Sequence, residues 1–107
     1  MSARGEFSKR AADAFIAGVD MATWPMAAGD TAVASNARGA LGVQAFSEAG
    51  DDVSATIVPD APWILAGTRV AFWVLAGAAG SRYRIVVTAP TQQGELLTAV
   101  AWLRVDP

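Results

Sequence analysis

Three apolar runs toward the C-terminus, Arg69 to Leu75, Arg82 to Thr88 and Leu96 to Val105, constrain this chain more than any other feature. In the first, Val70, Phe72 and Val74 alternate with Arg69, Ala71, Trp73 and Leu75, and both faces are mostly apolar. That pattern suits a strand covered on two sides. In the second, Tyr83, Ile85 and Val87 share one face, and Arg82, Arg84, Val86 and Thr88 share the other. In the third, Leu97, Ala99, Ala101, Leu103 and Val105 alternate with Leu96, Thr98, Val100, Trp102 and Arg104. A period of two predicts strands, because successive side chains leave opposite faces of an extended backbone. Glycine-rich Ala76 to Ser81 and the Ala89 to Glu95 segment are turns, so the three runs form a meander.

The first half is less regular. Phe7 to Ala17 reads as a short helix, with Phe7, Ala11, Ala14 and Phe15 near one face, and Gly18 ends it. Pro25 breaks the segment around Trp24, and Ala27 to Asp30 reads as a turn. Weak strands are expected at Thr31 to Ser35, Leu41 to Phe46 and Val53 to Val58, with Gly50-Asp51-Asp52 as a turn between the last two. After Pro59 to Pro62, Trp63-Ile64-Leu65 forms an edge element or a bridge between sheets. About seven short segments with regular turn signals predict an all-β, Ig-like antiparallel sandwich over residues 15–107. Residues 1–14 are expected to be an extended or partly helical N-terminal arm.

A chain of 107 residues fits one domain and can bury a core without staples. It has neither cysteine nor histidine. Disulfides and thiolate metal sites are excluded, and the usual general base and pH switch are missing. Ser8, Ser35, Ser47, Ser54 and Ser81 therefore have no histidine to activate them. The single lysine, Lys9, falls in the expected arm, which argues against a Schiff-base site. An enzyme is not expected, and no catalytic residue or cofactor is assigned.

Adjacent Asp51 and Asp52 point apart on an extended chain. With Asp60 they are the only candidates for a cation loop, and a turn explains them better, so no metal site is assigned. The Gly77 and Gly80 pair is too close for a phosphate loop and fits a tight hairpin.

The formal net charge is −2, which gives no electrostatic case for nucleic acid or anionic lipid. Arg4, Lys9 and Arg10 make a local basic cluster, read as a solvated tail or a docking contact for an acidic partner. The start of the chain has no unbroken apolar stretch of the secretory kind, and Val70 to Ala79, ten residues, is too short to span a bilayer. Cytoplasmic synthesis is the expectation.

Four tryptophans exceed what one modest core requires. Trp73 and Trp102 lie in strands and are read as structural residues, with one of the two expected to fill the core. Trp24 and Trp63 lie beside prolines and are expected at the surface, as protein anchors or sugar-stacking platforms. Tyr83, just after the Gly80 turn, has the position of a tyrosine corner, a structural device in which the ring is buried and the hydroxyl bonds nearby backbone.

The run from Trp73 through Gly77 and Gly80 to Tyr83, the closing Trp102-Leu103-Arg104-Val105, and Thr88 followed by Gly94 resemble a family of small Ig-like phage virion proteins, the fiber-tail adaptors. Ala28-Gly29-Asp30-Thr31 is similar to that family's early turn, and Asp20 with Trp24 to its Asp-Trp segment. The resemblance implies a bacteriophage virion component joining tail fibres or a neighbouring ring to the tail or neck. Its implied partners are other virion proteins and further copies of itself, with neither nucleic acid nor membrane. A composition 53% hydrophobic agrees with life inside an assembly. Capsid decoration is the alternative role, and a carbohydrate-binding module using Trp24 or Trp63 is a third.

Overall fold

The computed structural model describes residues 4–20, 29–65 and 67–107, and the fold is all-β. In chain order the elements are β1 (Arg4–Lys9), β2 (Phe15–Asp20), β3 (Ser35–Asn36), β4 (Gly39–Ala40), β5 (Gly42–Ser47), a single-turn helix α1 (Ser54–Ile57), β6 (Trp63–Leu65), β7 (Arg69–Val74), β8 (Arg82–Pro90) and β9 (Leu96–Val105). The larger sheet has the order β1-β9-β8-β5, and the smaller one β2-β7-β6. Strands β3 and β4 form a separate small hairpin. Every pairing is antiparallel except β1 with β9, which run parallel from Arg4↔Val100 to Lys9↔Val105.

The alternation in β8 and β9 sets which side chains are buried. Tyr83, Ile85, Val87 and Ala89 face the core from β8, and Leu97, Ala99, Ala101, Leu103 and Val105 from β9. The register places Ile85 opposite Ala101, Val87 opposite Ala99, and Ala89 opposite Leu97. In these three pairs a large residue meets a small one, which suits close packing of the layer, while Tyr83 and Leu103 form a large pair at its end. The smaller sheet contributes Ala17, Val70, Phe72 and Val74 to the same buried cluster. Phe72 is the largest of the fully buried side chains.

Thr31 to Ser35 is not the expected strand: Ala32 makes only an isolated bridge to Thr91, and β3 begins at Ser35. Two further expectations for the first half are overturned. Phe7 to Ala17 is not a helix. Phe7 lies in β1 and Phe15 in β2, and their rings meet edge-on at 6.4 Å. Phe7 also meets Phe72 edge-on at 6.5 Å, bringing β1 against the smaller sheet. A separation of eight residues suits two strands as well as two helical turns, and contacts with opposite sheets decide the matter. The segment read as a detached arm therefore carries an edge strand of the larger sheet. Val53 to Val58 is the second correction, since it forms α1 instead of a strand. The Asp52 carboxylate accepts hydrogen bonds from the Ser54 N–H at 2.9 Å and the Ser54 hydroxyl at 2.6 Å, which winds the chain at the start of that turn. Ile57 and Val58 then enter the core, and the Ile57 carbonyl accepts from Leu75 N–H at 2.8 Å.

The expected three-strand meander is overturned at its first connection: β8 pairs with β9 and β5, but β7 pairs with β2 and β6, so the chain between β7 and β8 crosses from the smaller sheet to the larger one instead of closing a hairpin. Ala76, Gly77 and Gly80 all have positive φ, at 53°, 107° and 81°. Tyr83 is buried, and its hydroxyl accepts the Ala78 N–H at 2.9 Å. A methyl group added at Gly77 would lie 2.9 Å from Val105 Cγ2, so the glycine provides room as well as conformation.

Candidate protein-interaction surfaces

Each sheet has an outer face set by the parity of its inner one, and these faces carry the surface chemistry of the molecule. On the smaller sheet, Ala17, Val70 and Phe72 point inward, so Ile16, Gly18 and Asp20 of β2 and Arg69, Ala71 and Trp73 of β7 point outward. Ile16 stands directly opposite Trp73. Ala71 stands opposite Gly18 on one side and Trp63 on the other. Ile16 is 51% exposed, Leu65 50% and Trp73 37%, and Trp63 is half-buried beside them. Ala71 is buried without belonging to the core cluster, as expected for a small residue between Trp63 and Trp73. The result is an apolar patch over three strands, bordered by a loose ion pair of Arg69 with Asp20 at 3.9 Å.

The outer face of the larger sheet is different. One row runs Phe46–Arg84–Trp102 across β5, β8 and β9. The next row sets Arg82 opposite Arg104. The Arg84 guanidinium lies over the Phe46 ring at 5.0 Å, and that of Arg82 lies over Trp102 at 4.7 Å. Arg104 approaches Asp106 at 3.8 Å. Ser47, Glu48, Gly50, Arg82, Arg84 and Trp102 line an open concavity of about 210 Å3.

The residues singled out from sequence are thus dispersed. Trp63 is on the apolar face, in keeping with its assignment to the surface. One of Trp73 and Trp102 is expected in the core, yet neither belongs to the buried cluster, and each stands on the outer face of its sheet. In β7 both parities are apolar, so alternation alone does not choose the inner one. Phe72 takes the core position with Val70 and Val74, and Trp73 is left outside. Gly77, Gly80 and Tyr83 form the turn described above. Trp24 lies outside the described residues. The backbone of Arg4 pairs with Val100.

Lys9 departs most from its expected position. It is only 3% exposed, and its ammonium donates to the carbonyls of Arg10 at 2.7 Å, Ala11 at 3.1 Å and Ala76 at 2.5 Å. Those three acceptors satisfy all three donors of an ammonium group. Lys9 is therefore a clamp between the end of β1 and the β7–β8 turn, not a docking cation. It faces inward because it follows Phe7 by two residues on the same strand. Arg10 is exposed, and its N–H donates to the Asp13 carboxylate at 3.2 Å in the turn leading to β2.

Ile16 and Leu65 are interface candidates that sequence reasoning missed. The available signal was the parity of Phe15, Ala17 and Val19, which sends Ile16 to the other side.

Two carboxylates are held below their ordinary range. For Asp30, burial pushes the pKa up, but hydrogen bonds from the Thr91 side chain and the backbone of Gln93, Thr31 and Gln92 outweigh it. The same contacts tie the loop before β3 to the β8–β9 turn, with Thr31 N–H and Gln93 N–H donating to Asp30 Oδ1 at 2.9 and 3.1 Å. For Asp52, the hydrogen bonds from the Ser54 side chain and backbone lower it. Among the described residues, no group of three or more acidic side chains could hold a metal ion. No helix among them is long and apolar enough to cross a membrane.

Comparison with protein-family models and with curated proteins finds no match to this chain.

Proposed function

We propose that this chain is a structural docking module of Ig-like fold that fastens proteins together in a bacteriophage particle, as an adaptor joining tail fibres or a neighbouring ring to the tail or neck. The observation that carries the docking role is the outer face of the smaller sheet. Ile16 and Trp73 are exposed there as cross-strand neighbours, Trp63 follows on the next outward row opposite Ala71, and exposed Leu65 lies beyond it opposite Arg69. A contiguous apolar patch with tryptophans is the composition of an interface centre, and covering it removes apolar area from water.

Two features support the Ig-like reading of the fold. The seven longer strands divide as β1-β9-β8-β5 and β2-β7-β6, with their inner faces feeding one core. Tyr83 opens β8 with its hydroxyl on the backbone five residues upstream, as in a tyrosine corner. The phage assignment rests on the resemblance carried by Trp73 to Tyr83 and by Trp102 to Val105, and a fold by itself does not assign a role.

The test is the copy number of the protein in purified particles, by quantitative mass spectrometry against the portal and the major capsid protein. A count following the portal ring supports the adaptor, and one following the capsid subunit replaces it with capsid decoration. Absence from particles refutes the virion assignment. Ile16→Asp and Trp73→Ala should each fold normally and reduce incorporation. Unchanged incorporation of both would remove this face from the docking role.

A further inference from the structure

We propose that the outer face of the larger sheet is a second docking surface, specific for a carboxylate-bearing segment of another protein, with Arg82 and Arg84 as its paired receptors. The inference stands on strand register and side-chain geometry, and holds whether or not the module belongs to a phage.

The argument begins with charge on a single face. Arg82 and Arg84 are separated by one residue on β8 and therefore project from the same side. Arg104 faces Arg82 directly across the ladder, an arrangement of like charges that disfavours the sheet by itself. The acidic groups nearby are few. Asp106 is drawn to Arg104, and Glu48 uses Oε1 to accept the backbone N–H of Arg82 at 3.2 Å. Among the described residues, neither guanidinium of Arg82 or Arg84 has a carboxylate partner.

The second part of the argument is preorganisation. Each guanidinium lies over an aromatic ring, Arg84 on Phe46 and Arg82 on Trp102, and both rings are half-buried in the sheet. Stacking restrains a flexible side chain while leaving the N–H groups at the guanidinium edge open to a planar acceptor. A carboxylate fits that fork with two parallel hydrogen bonds, which a lysine cannot offer. The open concavity of about 210 Å3 is lined by both arginines with Trp102, Ser47, Gly50 and Glu48, and because Glu48 Oε1 is engaged by the Arg82 backbone N–H, the guanidinium forks and the indole are left to receive an acidic side chain with its methylene groups. Arginine and tryptophan at the centre of a face are the pairing that dominates protein interfaces. Since the whole chain is net negative, this recognition is local and does not extend to polyanions in general.

The test is fluorescence anisotropy of a fluorescein-labelled hexaglutamate peptide with the full chain at low ionic strength. Hexalysine, sialyllactose and phosphatidylserine vesicles serve as competing probes. Hexaglutamate should bind, and added salt should weaken it. Arg82→Ala and Arg84→Ala should each lower affinity at least about fivefold, as expected for a lost charge-assisted contact. Arg84→Lys, which keeps the charge and loses the fork, should lower it at least about threefold. Arg69→Ala, the same charge change on the other sheet, should leave binding unaltered. Because the three arginines are exposed, the variants should remain folded with cooperative melts, Arg82→Ala losing a stacking contact but also relieving its opposition to Arg104, which separates lost binding from lost folding. Equal loss in Arg69→Ala, full rescue by lysine, or unaltered binding in both alanine variants would overturn the proposal. Preferential binding of sialyllactose or of the vesicles would overturn it as well.

Discussion

Gly77→Ala isolates the demand that the β7–β8 turn places on the sequence, and Gly80→Ala is its internal control. Both glycines have positive φ, so both substitutions force an alanine into a region that L residues avoid. At Gly80 a Cβ would meet nothing within 4 Å, so the conformational penalty stands alone, at about 1 kcal/mol. At Gly77 φ is 107°, beyond the ordinary left-handed well, and the penalty rises to about 1–3 kcal/mol. The new methyl group would also lie 2.9 Å from Val105 Cγ2 and 3.5 Å from the Tyr83 ring. Val105 cannot easily withdraw. It is fully buried, its N–H donates to Ser81, and its carbonyl accepts from Gly80, each at 2.9 Å. Overpacking of this kind adds about 1–3 kcal/mol. The total for Gly77→Ala is then about 4 kcal/mol. At the size of this chain that corresponds to a fall in Tm of roughly 15–20 °C, against roughly 5 °C for Gly80→Ala. The assay is urea unfolding followed by circular dichroism, with thermal melts in parallel. An unaltered m-value would show that the native state and not the denatured ensemble has moved. Equal midpoints for the two variants would refute the steric half of the argument. A parent-like midpoint for both would refute the conformational half too.

Tyr83→Phe deletes the acceptor of the Ala78 N–H in a partly buried setting and should destabilise by about 1–2 kcal/mol; a loss too small to resolve in urea titration would mean that the tyrosine corner has no energetic role. The Lys9 amine, clamped by three carbonyls, should resist acylation by an amine-reactive ester in the native protein and react readily in denaturant, as read by peptide mass spectrometry. Native labelling as fast as that of an exposed amine would restore the solvated-tail reading. Asp30 and Asp52 have lowered pKa values when folded, so the stability they contribute is complete above the ordinary carboxylate pKa near 4 and is lost as pH falls through their folded values. Tm should therefore hold level above about pH 5 and decline below about pH 4, less steeply in Asp30→Asn, and an identical acid limb in that variant would contradict the assignment.

Much of the C-terminal half was readable because strand parity is local. Tyr83, Ile85 and Val87 declare an inner face within one strand, and Leu97 to Val105 do so within the next, so β8, β9 and the turn between them follow from alternation with glycine and proline breaks. The short edge strand Trp63–Leu65 and the positive φ of Gly77 and Gly80 were legible in the same way, but these glycines serve a crossing between sheets and not the expected hairpin, because both faces of β7 are apolar and its sheet is not written in its own sequence. Where local signals were degenerate, only the tertiary structure decided. Phe7 and Phe15 satisfied a helix and a pair of strands equally, and their contacts with each other and with Phe72 selected strands on two sheets. β7 is apolar on both faces, so the competition between Phe72 and Trp73 for one enclosed volume settled which ring is buried. Lys9 reads as a surface cation by residue type, yet carbonyls from Arg10, Ala11 and the distant Ala76 converge on its ammonium and make burial acceptable. Both candidate surfaces have the same origin. A strand's own residues set its two faces, but which strands become neighbours, and hence whether Ile16 meets Trp73 or Arg84 meets Phe46, is fixed by pairings between segments far apart in the chain.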